Sequence, residues 1–357
     1  MEMNRRDRVT DNSYMDKKRK QCLFIYTSNG PFVMNDNTFL HRYFEVTEYH
    51  CKMEKSFFKL GWNLFKFSFF VVSHISRIDF VYTWFIDYHS LILTLLVQIF
   101  QKPLYSVVGG YEVEHLPHIK YGGLKNPIRK FAIQYSLNHT TKILVVSQYT
   151  FQQTKKMISH NRIEVVNNAI DLKNIKLGKI QKRGIKKYFL SVGNIDTDQR
   201  MKRKGIDRFI QVARYFPDEP FMLIGVSEKM KMQLSKNSPD NIILIPQVLY
   251  AELQKYYEQA MYYIQLSEVE SFGMAVLEAI SYGAVPIISN RGALPEIFGD
   301  VSIVVDVDQF DNEIKTLKQK MESYSYNIKK IQKILNKYDL TIRYKRLKEI
   351  LYPYIAV

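Results

Sequence analysis

The sequence predicts an α/β protein made of two doubly wound halves that face a central cleft. Three observations carry this expectation. Short apolar runs rich in β-branched and aromatic residues alternate with helix-length segments along almost the whole chain, which is the pattern of βαβ units and parallel sheets. A polar, lysine-rich stretch at 171–187 interrupts the alternation near the middle. The length, 357 residues, suits two domains at roughly 100–200 residues each.

Residues 1–20 read as a disordered basic tail, with seven Lys or Arg and four Asp or Glu and no apolar stretch of the kind a leader peptide carries. Ordered sequence is expected from Gln21. Residues 22–26 (CLFIY) form a strand closed by the turn Ser28-Asn29-Gly30-Pro31. Residues 39–48 and 55–75 read as helical or mixed and rich in aromatics, 79–84 as a strand, 89–100 as a buried helix and 104–108 as a strand running into Gly109-Gly110. A helix follows at 127–138 with Pro127 at its start. A strand at 143–146 then leads into a helix that Ser147 is placed to cap, and a strand at 163–166 ends at Asn167-Asn168. The first domain is therefore set at 21–172.

The second domain, 173–335, repeats the pattern. Strands are expected at 188–192, 221–225, 242–246, 262–266, 285–289 and 302–305. Helices are expected at 206–215, 251–260, 272–282 and 294–298, with a charged loop before Gly205. The stretch 312–351 reads as basic helix, and its end, 336–357, is expected to pack back on the first domain.

Composition narrows the function classes. With 46% hydrophobic and 24% charged residues the chain is globular rather than disordered or fibrous. Two cysteines, Cys22 and Cys51, cannot staple a scaffold and read as free thiols in a reducing compartment. The net charge of +16 calls for an anionic partner: nucleic acid, lipid or a phosphorylated substrate. The longest uncharged run among the aromatics, 88–101, has fourteen residues, short of the roughly 18 that a spanning helix needs.

The stretch SEVESFGMAVLE, 267–278, carries the chemistry. A strand ends at Ser267, a loop holds Glu268 and Glu270, and a helix starts near Phe272 with Ser271 as its expected N-cap. Gly273 lets the backbone come close to an anion, and a helix N-terminus offers unpaired N–H donors to a phosphate. Glu278 sits two turns into an apolar helix, where a carboxylate is costly unless its oxygens are bonded. Two adjacent ribose hydroxyls satisfy it, and so does an ion pair with a core Arg or Lys.

Glu270 to Glu278 resembles the E-x7-E motif of family 4 nucleotide-sugar glycosyltransferases. Four further stretches agree in order: Ser191-Val192-Gly193-Asn194 with Lys204-Gly205-Ile206-Asp207, the joint Val165 to Asp171, the helix Ser147 to Lys155, and Gly292-Ala293-Leu294-Pro295-Glu296. The resemblance is dense over 143–305 and thin before that. It implies the GT-B fold, two Rossmann-like domains around a cleft, and retaining, metal-independent transfer of a sugar from a nucleotide-diphosphate donor to a glycan or lipid-linked acceptor hydroxyl, with no cofactor. By the same resemblance Glu278 holds the ribose, Glu270 with Ser271, Phe272, Gly273 and Met274 holds the sugar and phosphates, Gly193 lines the donor site, and Lys204 neutralises the diphosphate.

The sequence departs from the family's pattern at several points. Asn194 stands where relatives carry Arg, and Arg200, in the basic insertion 200–204, is expected to replace that cation. On the acceptor side the glycine loop is reduced to Ser28-Asn29-Gly30, of which Asn29 and Gly30 are expected to bind the acceptor. Glu112 is expected to face the acceptor as a catalytic residue with Glu270 and Lys204, and His115 or His118 to stand in for the family's histidine. Asp196-Thr197-Asp198 and Asp306-Val307-Asp308 spell metal-site triplets, but these are too short to be specific and no metal is expected.

Residues 57–100, with Lys55, Lys59, Lys66 and Arg77, read either as packing within the first domain or as a surface facing anionic lipid. The expected setting is cytoplasmic, peripheral at the inner membrane face. Three rival readings remain. One is a nucleotide-sugar epimerase of the same fold. Another is a nucleic-acid-binding protein, which the spread of Lys and Arg through all segments disfavours. The third is a catalytically dead scaffold, against which the intact Glu270 and Glu278 argue.

Overall fold

The computed structural model describes residues 19–52, 56–174 and 187–355. The expected tail, apart from Arg19 and Lys20, lies outside the described residues, as do Lys55 and most of the 171–187 joint.

Two parallel six-stranded sheets form the molecule. The first contains β1 (Gln21–Tyr26), β2 (Glu45–His50), β3 (Phe80–Trp84), β4 (Leu104–Val108), β5 (Lys142–Val145) and β6 (Ile163–Val165), in the order β2-β1-β3-β4-β5-β6. The second contains β7 (Tyr188–Ile195), β8 (Phe221–Val226), β9 (Ile242–Ile245), β10 (Ala260–Gln265), β11 (Val285–Ser289) and β12 (Ile303–Val305), in the order β12-β11-β10-β7-β8-β9. Strands β3 and β4 are buried along their whole length, because helices cover both faces of a doubly wound sheet. The strand order reverses direction at β1/β3 in the first sheet and at β7/β10 in the second. A ligand binds at such switch points, beyond the carboxyl ends of the strands.

The first sheet carries α1 (Pro31–Tyr43), α2 (Phe57–Ile75), α3 (Tyr88–Ile99), α4 (Pro127–His139) and α5 (Gln148–Lys155). The second carries α6 (Asp198–Arg203), α7 (Ile206–Tyr215), α8 (Glu228–Ser235), α9 (Tyr250–Gln259), α10 (Met274–Ser281), α11 (Leu294–Phe298), α12 (Phe310–Ser323) and α13 (Ile328–Lys337). The last helix, α14 (Leu340–Ile350), crosses to the first domain, where Arg343 binds Asp36. Among the described residues no helix is long and apolar enough to cross a membrane. Cys22 and Cys51 are both free and buried.

The structure corrects several sequence readings. Residues 39–48 divide into the end of α1 and the edge strand β2, whose polar alternation EVTEYH hides a strand that buries little. The charged loop before Gly205 contains α6, capped by the Thr197 side chain, and α8 stands where no element was expected. Helix α10 begins at Met274, and its N-cap is Gly273 at φ 97° rather than Ser271. The basic stretch 312–351 is three helices, because Asn327 and Asp339 each cap a new start.

Candidate functional site

A cleft of about 740 Å³ opens between the two sheets at their switch points. The first domain lines it with Ser28 and Pro31 after β1, Trp84 at the end of β3 and Phe85 after it, and Gly109, Tyr111 and Tyr121. The second domain lines it with the loop after β7, the loop after β10 and the start of α10.

Glycines set these loops. At Gly225, φ +93°, a Cβ would stand 1.8 Å from the Gly193 carbonyl oxygen, so the turn after β8 lies directly on the loop that ends β7. At Gly110, φ +122°, a Cβ would meet Ser271 Oγ at 1.7 Å, which is how closely the two domains approach across the cleft. The backbone of Glu270 is held by the segment before α11: the Ala293 N–H donates to the Glu270 carbonyl at 2.7 Å.

Glu270 gathers a cluster of cations and donors. Lys204 Nζ lies 2.7 Å from its Oε1 and Arg203 Nη1 lies 3.8 Å away. Ser267 Oγ and Gln265 Nε2 also donate to Oε1, at 3.1 and 3.2 Å. Burial by itself raises the Glu270 carboxyl, but the two cations and the hydrogen bonds outweigh it and hold the group below the usual carboxylate range. Glu270 is therefore ionised, and its charge anchors Lys204 at the wall beside the α10 N-terminus.

Glu278 is held by two tyrosines of α9. Tyr250 Oη donates to Oε1 and Tyr257 Oη to Oε2, each at 2.9 Å. Burial raises the Glu278 carboxyl, and these two bonds offset only part of the rise. The expected alternative of an ion pair with a core Arg or Lys gives way to this tyrosine clamp. Each oxygen keeps acceptor capacity for a further donor.

Gly193, Asn194, Arg200, Lys204, Glu270, Ser271, Phe272, Gly273, Met274 and Glu278 all line this cleft. Arg200 also pairs with Asp196 at 2.7 Å. The expected acceptor-side residues are placed differently. Glu112 is buried, and its carboxylate accepts from the backbone N–H groups of Gly110 at 2.8 Å, Gly109 at 3.1 Å and Ile86 at 3.3 Å. It braces the loop after β4 from behind and does not face an acceptor. His115 is exposed and is not among the lining residues, and His118 contacts Glu268 at 3.3 Å. Asn29 is exposed, and Gly30 caps α1 through its carbonyl, which accepts from Val33 and Met34. Their neighbours Ser28 and Pro31 make the wall.

Sequence reasoning missed Arg203, whose guanidinium lies 5.2 Å from the Tyr121 ring and bridges the domains. It also missed Tyr250 and Tyr257. Their spacing of seven on one helix, facing a lone apolar-helix glutamate, was a usable signal. Asp306 accepts from Asn290 at 2.7 Å and Asp308 pairs with Arg291.

This architecture of two facing doubly wound parallel sheets defines the class: the chain has the GT-B fold. Sucrose-phosphate synthase from Thermosynechococcus elongatus shares it with a TM-score of 0.74 at 14% identity, over 94% of this chain and 99% of that one. Residues 173–334 match the model of the family described as glycosyl transferases group 1, a span that contains the second domain's wall of the cleft. The chain is similar to an uncharacterized 41.2 kDa protein in the cps region of Klebsiella pneumoniae, 28% identical over 152 residues, 40% of each chain. It is also similar to a phosphatidylinositol N-acetylglucosaminyltransferase subunit from Arabidopsis thaliana, 20% identical over 222 residues, 59% of this chain and 48% of that one. The matches span less than half the length of either curated relative.

Proposed function

We propose that this protein transfers a sugar from a nucleoside diphosphate sugar to an acceptor hydroxyl, with retention at the anomeric carbon and without a metal ion. The convergence of Lys204, Arg203 and the N-terminus of α10 on one side of the cleft carries this reading. A diphosphate needs fixed positive charge where its leaving oxygen develops negative charge, and two cations and a helix N-terminus supply it without a divalent ion. Glu278, pre-oriented by its tyrosines, accepts from ribose hydroxyls, and Glu270 sets the position of Lys204 and faces the donor sugar.

In the transfer the bond from the anomeric carbon to the diphosphate oxygen breaks on the face where the bond to the acceptor oxygen forms. The acceptor's proton passes to the departing phosphate oxygen. The state of the cleft carboxylates supports a step with no protein base: Glu270 is tied to Lys204, and Glu278 to two tyrosines. The acceptor enters from the side of Trp84, Phe85, Tyr111 and Tyr121, and its class is a glycan or a lipid-linked glycan.

The test is nucleoside diphosphate release from a panel of nucleotide sugars, with and without glycan acceptors and with excess EDTA. Acceptor-dependent release that survives EDTA, with a product of unchanged anomeric configuration by NMR, is expected. Sugar conversion without acceptor assigns epimerisation instead. Loss with EDTA and recovery with manganese makes ligands of Asp196 and Asp198.

A further inference from the structure

Helix α2 is apolar on both sides, yet it lies at the surface. One side, with Phe67, Val71 and Ile75, is buried against β1 and β3 through Leu23, Ile25 and Val81. The other carries Phe58, Trp62, Phe65, Phe69 and Val72, with relative exposures of 86, 58, 63, 73 and 48%. Their spacing of four, three, four and three residues makes one straight stripe along the helix. A helix that is hydrophobic all round belongs in an apolar surrounding, and water does not provide one.

The neighbouring helices extend the stripe. Helix α2 packs on α3, and α3 on α4. Leu95 and Ile99 of α3 and Ile128 and Phe131 of α4 are also exposed. Such an apolar area is more than scattered surface hydrophobes explain. Its charge has one sign: α2, α3 and α4 contain no Asp or Glu, while Lys59, Lys66 and Lys130 are exposed on them. Lys66 Nζ sits 5.2 Å from the Trp62 ring, at the edge of the stripe.

We propose that the α2–α3–α4 face docks on an anionic lipid surface. The aromatic rings enter the interface, and the lysines stay at the level of the phosphate headgroups. The uniform charge selects this occupant. A second copy placed on the same face brings lysine against lysine with no carboxylate between, whereas anionic headgroups complement them. The helix lies in the plane of the membrane, since its other side is the domain core. This surface alone supports the docking, whether or not the cleft transfers a sugar.

The experiment is flotation of the full-length protein with vesicles of phosphatidylcholine alone or mixed in equal parts with phosphatidylglycerol. It is run at about 0.1 M and about 1 M NaCl, where the screening length falls from about 10 to about 3 Å. Binding to the mixed vesicles that weakens at high salt is expected. Lys59→Gln with Lys66→Gln should cut partition by about 25-fold, since each charge near an anionic surface contributes about fivefold. Trp62→Ser with Phe65→Ser, at exposed positions that leave the core intact, should cut it by about tenfold or more. The basic residues 1–20 are unchanged in both variants. Undiminished binding in the variants, equal binding to both lipids, no binding, or a dimer in sedimentation that the Trp62/Phe65 variant dissociates would each overturn the proposal.

Discussion

Arg343 and Asp36, 307 residues apart, meet as a fully buried bidentate pair: Nε to Oδ1 and Nη2 to Oδ2, both 2.7 Å. Tyr82 Oη and Trp84 Nε1 also donate to Asp36, at 2.8 and 2.7 Å, and Arg343 Nη1 donates to the carbonyls of Val166 and Asn167. The last helix is thereby pinned to the first domain, directly behind Trp84, a wall residue of the cleft.

Removing one member leaves the other charged and buried without its counter-charge. Arg343→Met should destabilise the protein by about 3–5 kcal/mol, read as a shift in the urea midpoint. Adding Asp36→Asn to it should restore part of that loss. A loss no larger than that of an ordinary surface substitution would show that the pin contributes nothing.

Glu278→Gln should weaken nucleoside diphosphate binding about 10–100-fold, the range for losing hydrogen bonds to a charged acceptor, while the melting temperature stays close to wild type. Because burial raises the Glu278 carboxyl, wild-type affinity should begin to fall with acid at a higher pH than an ordinary glutamate would cause. Calorimetric titration across pH measures both. Unchanged affinity with a collapsed melting point would make Glu278 a core residue only.

Lys204→Met should lower kcat on the order of a hundredfold or more, the size of losing one preorganised charge at a developing oxyanion. It also removes the nearest cation from Glu270, whose carboxyl should then titrate higher. The acid limb of the pH–rate profile should move up accordingly. A variant that loses only KM, with the limb in place, would make Lys204 a uniform binding group.

Burial lifts the Glu112 carboxyl to about 7, against the pull of the backbone N–H groups around it. A carboxyl raised above its unfolded value contributes stability that is full below about 4.5 and is lost as the pH rises through about 7. The cost of Glu112→Gln should therefore shrink as pH rises across that window. Denaturant unfolding of both proteins at acidic and neutral pH measures it, and a gap that widens instead contradicts the raised value.

Much of the frame was legible because it rests on local rules. The apolar runs at β1, β3, β4, β7, β8 and β11 are strands with both faces covered, so they read as unbroken hydrophobic segments. Ser147 caps α5 by accepting from the Thr150 N–H, as its position suggested. Edge strand β2 was not legible, since a strand that buries little carries little pattern. The second domain's wall of the cleft was read from spacing along one loop and one helix. The first domain's wall was not, because Trp84, Tyr111 and Tyr121 come from separate parts of the chain that only the sheet order brings together.

The sequence by itself determined two parallel-sheet domains, the loops that end their strands and the carboxylates Glu270 and Glu278, all of which follow from residues close in the chain. The tertiary structure alone decided which partner each charge takes. Glu112 turned from the cleft to its own backbone, Arg203 rather than Arg200 joined Lys204 beside Glu270, Glu278 found Tyr250 and Tyr257, and the aromatics of α2 divided between core and surface. Those outcomes depend on desolvation and on distances of a few ångströms between segments far apart in the chain. Periodicity and spacing hold no information about either.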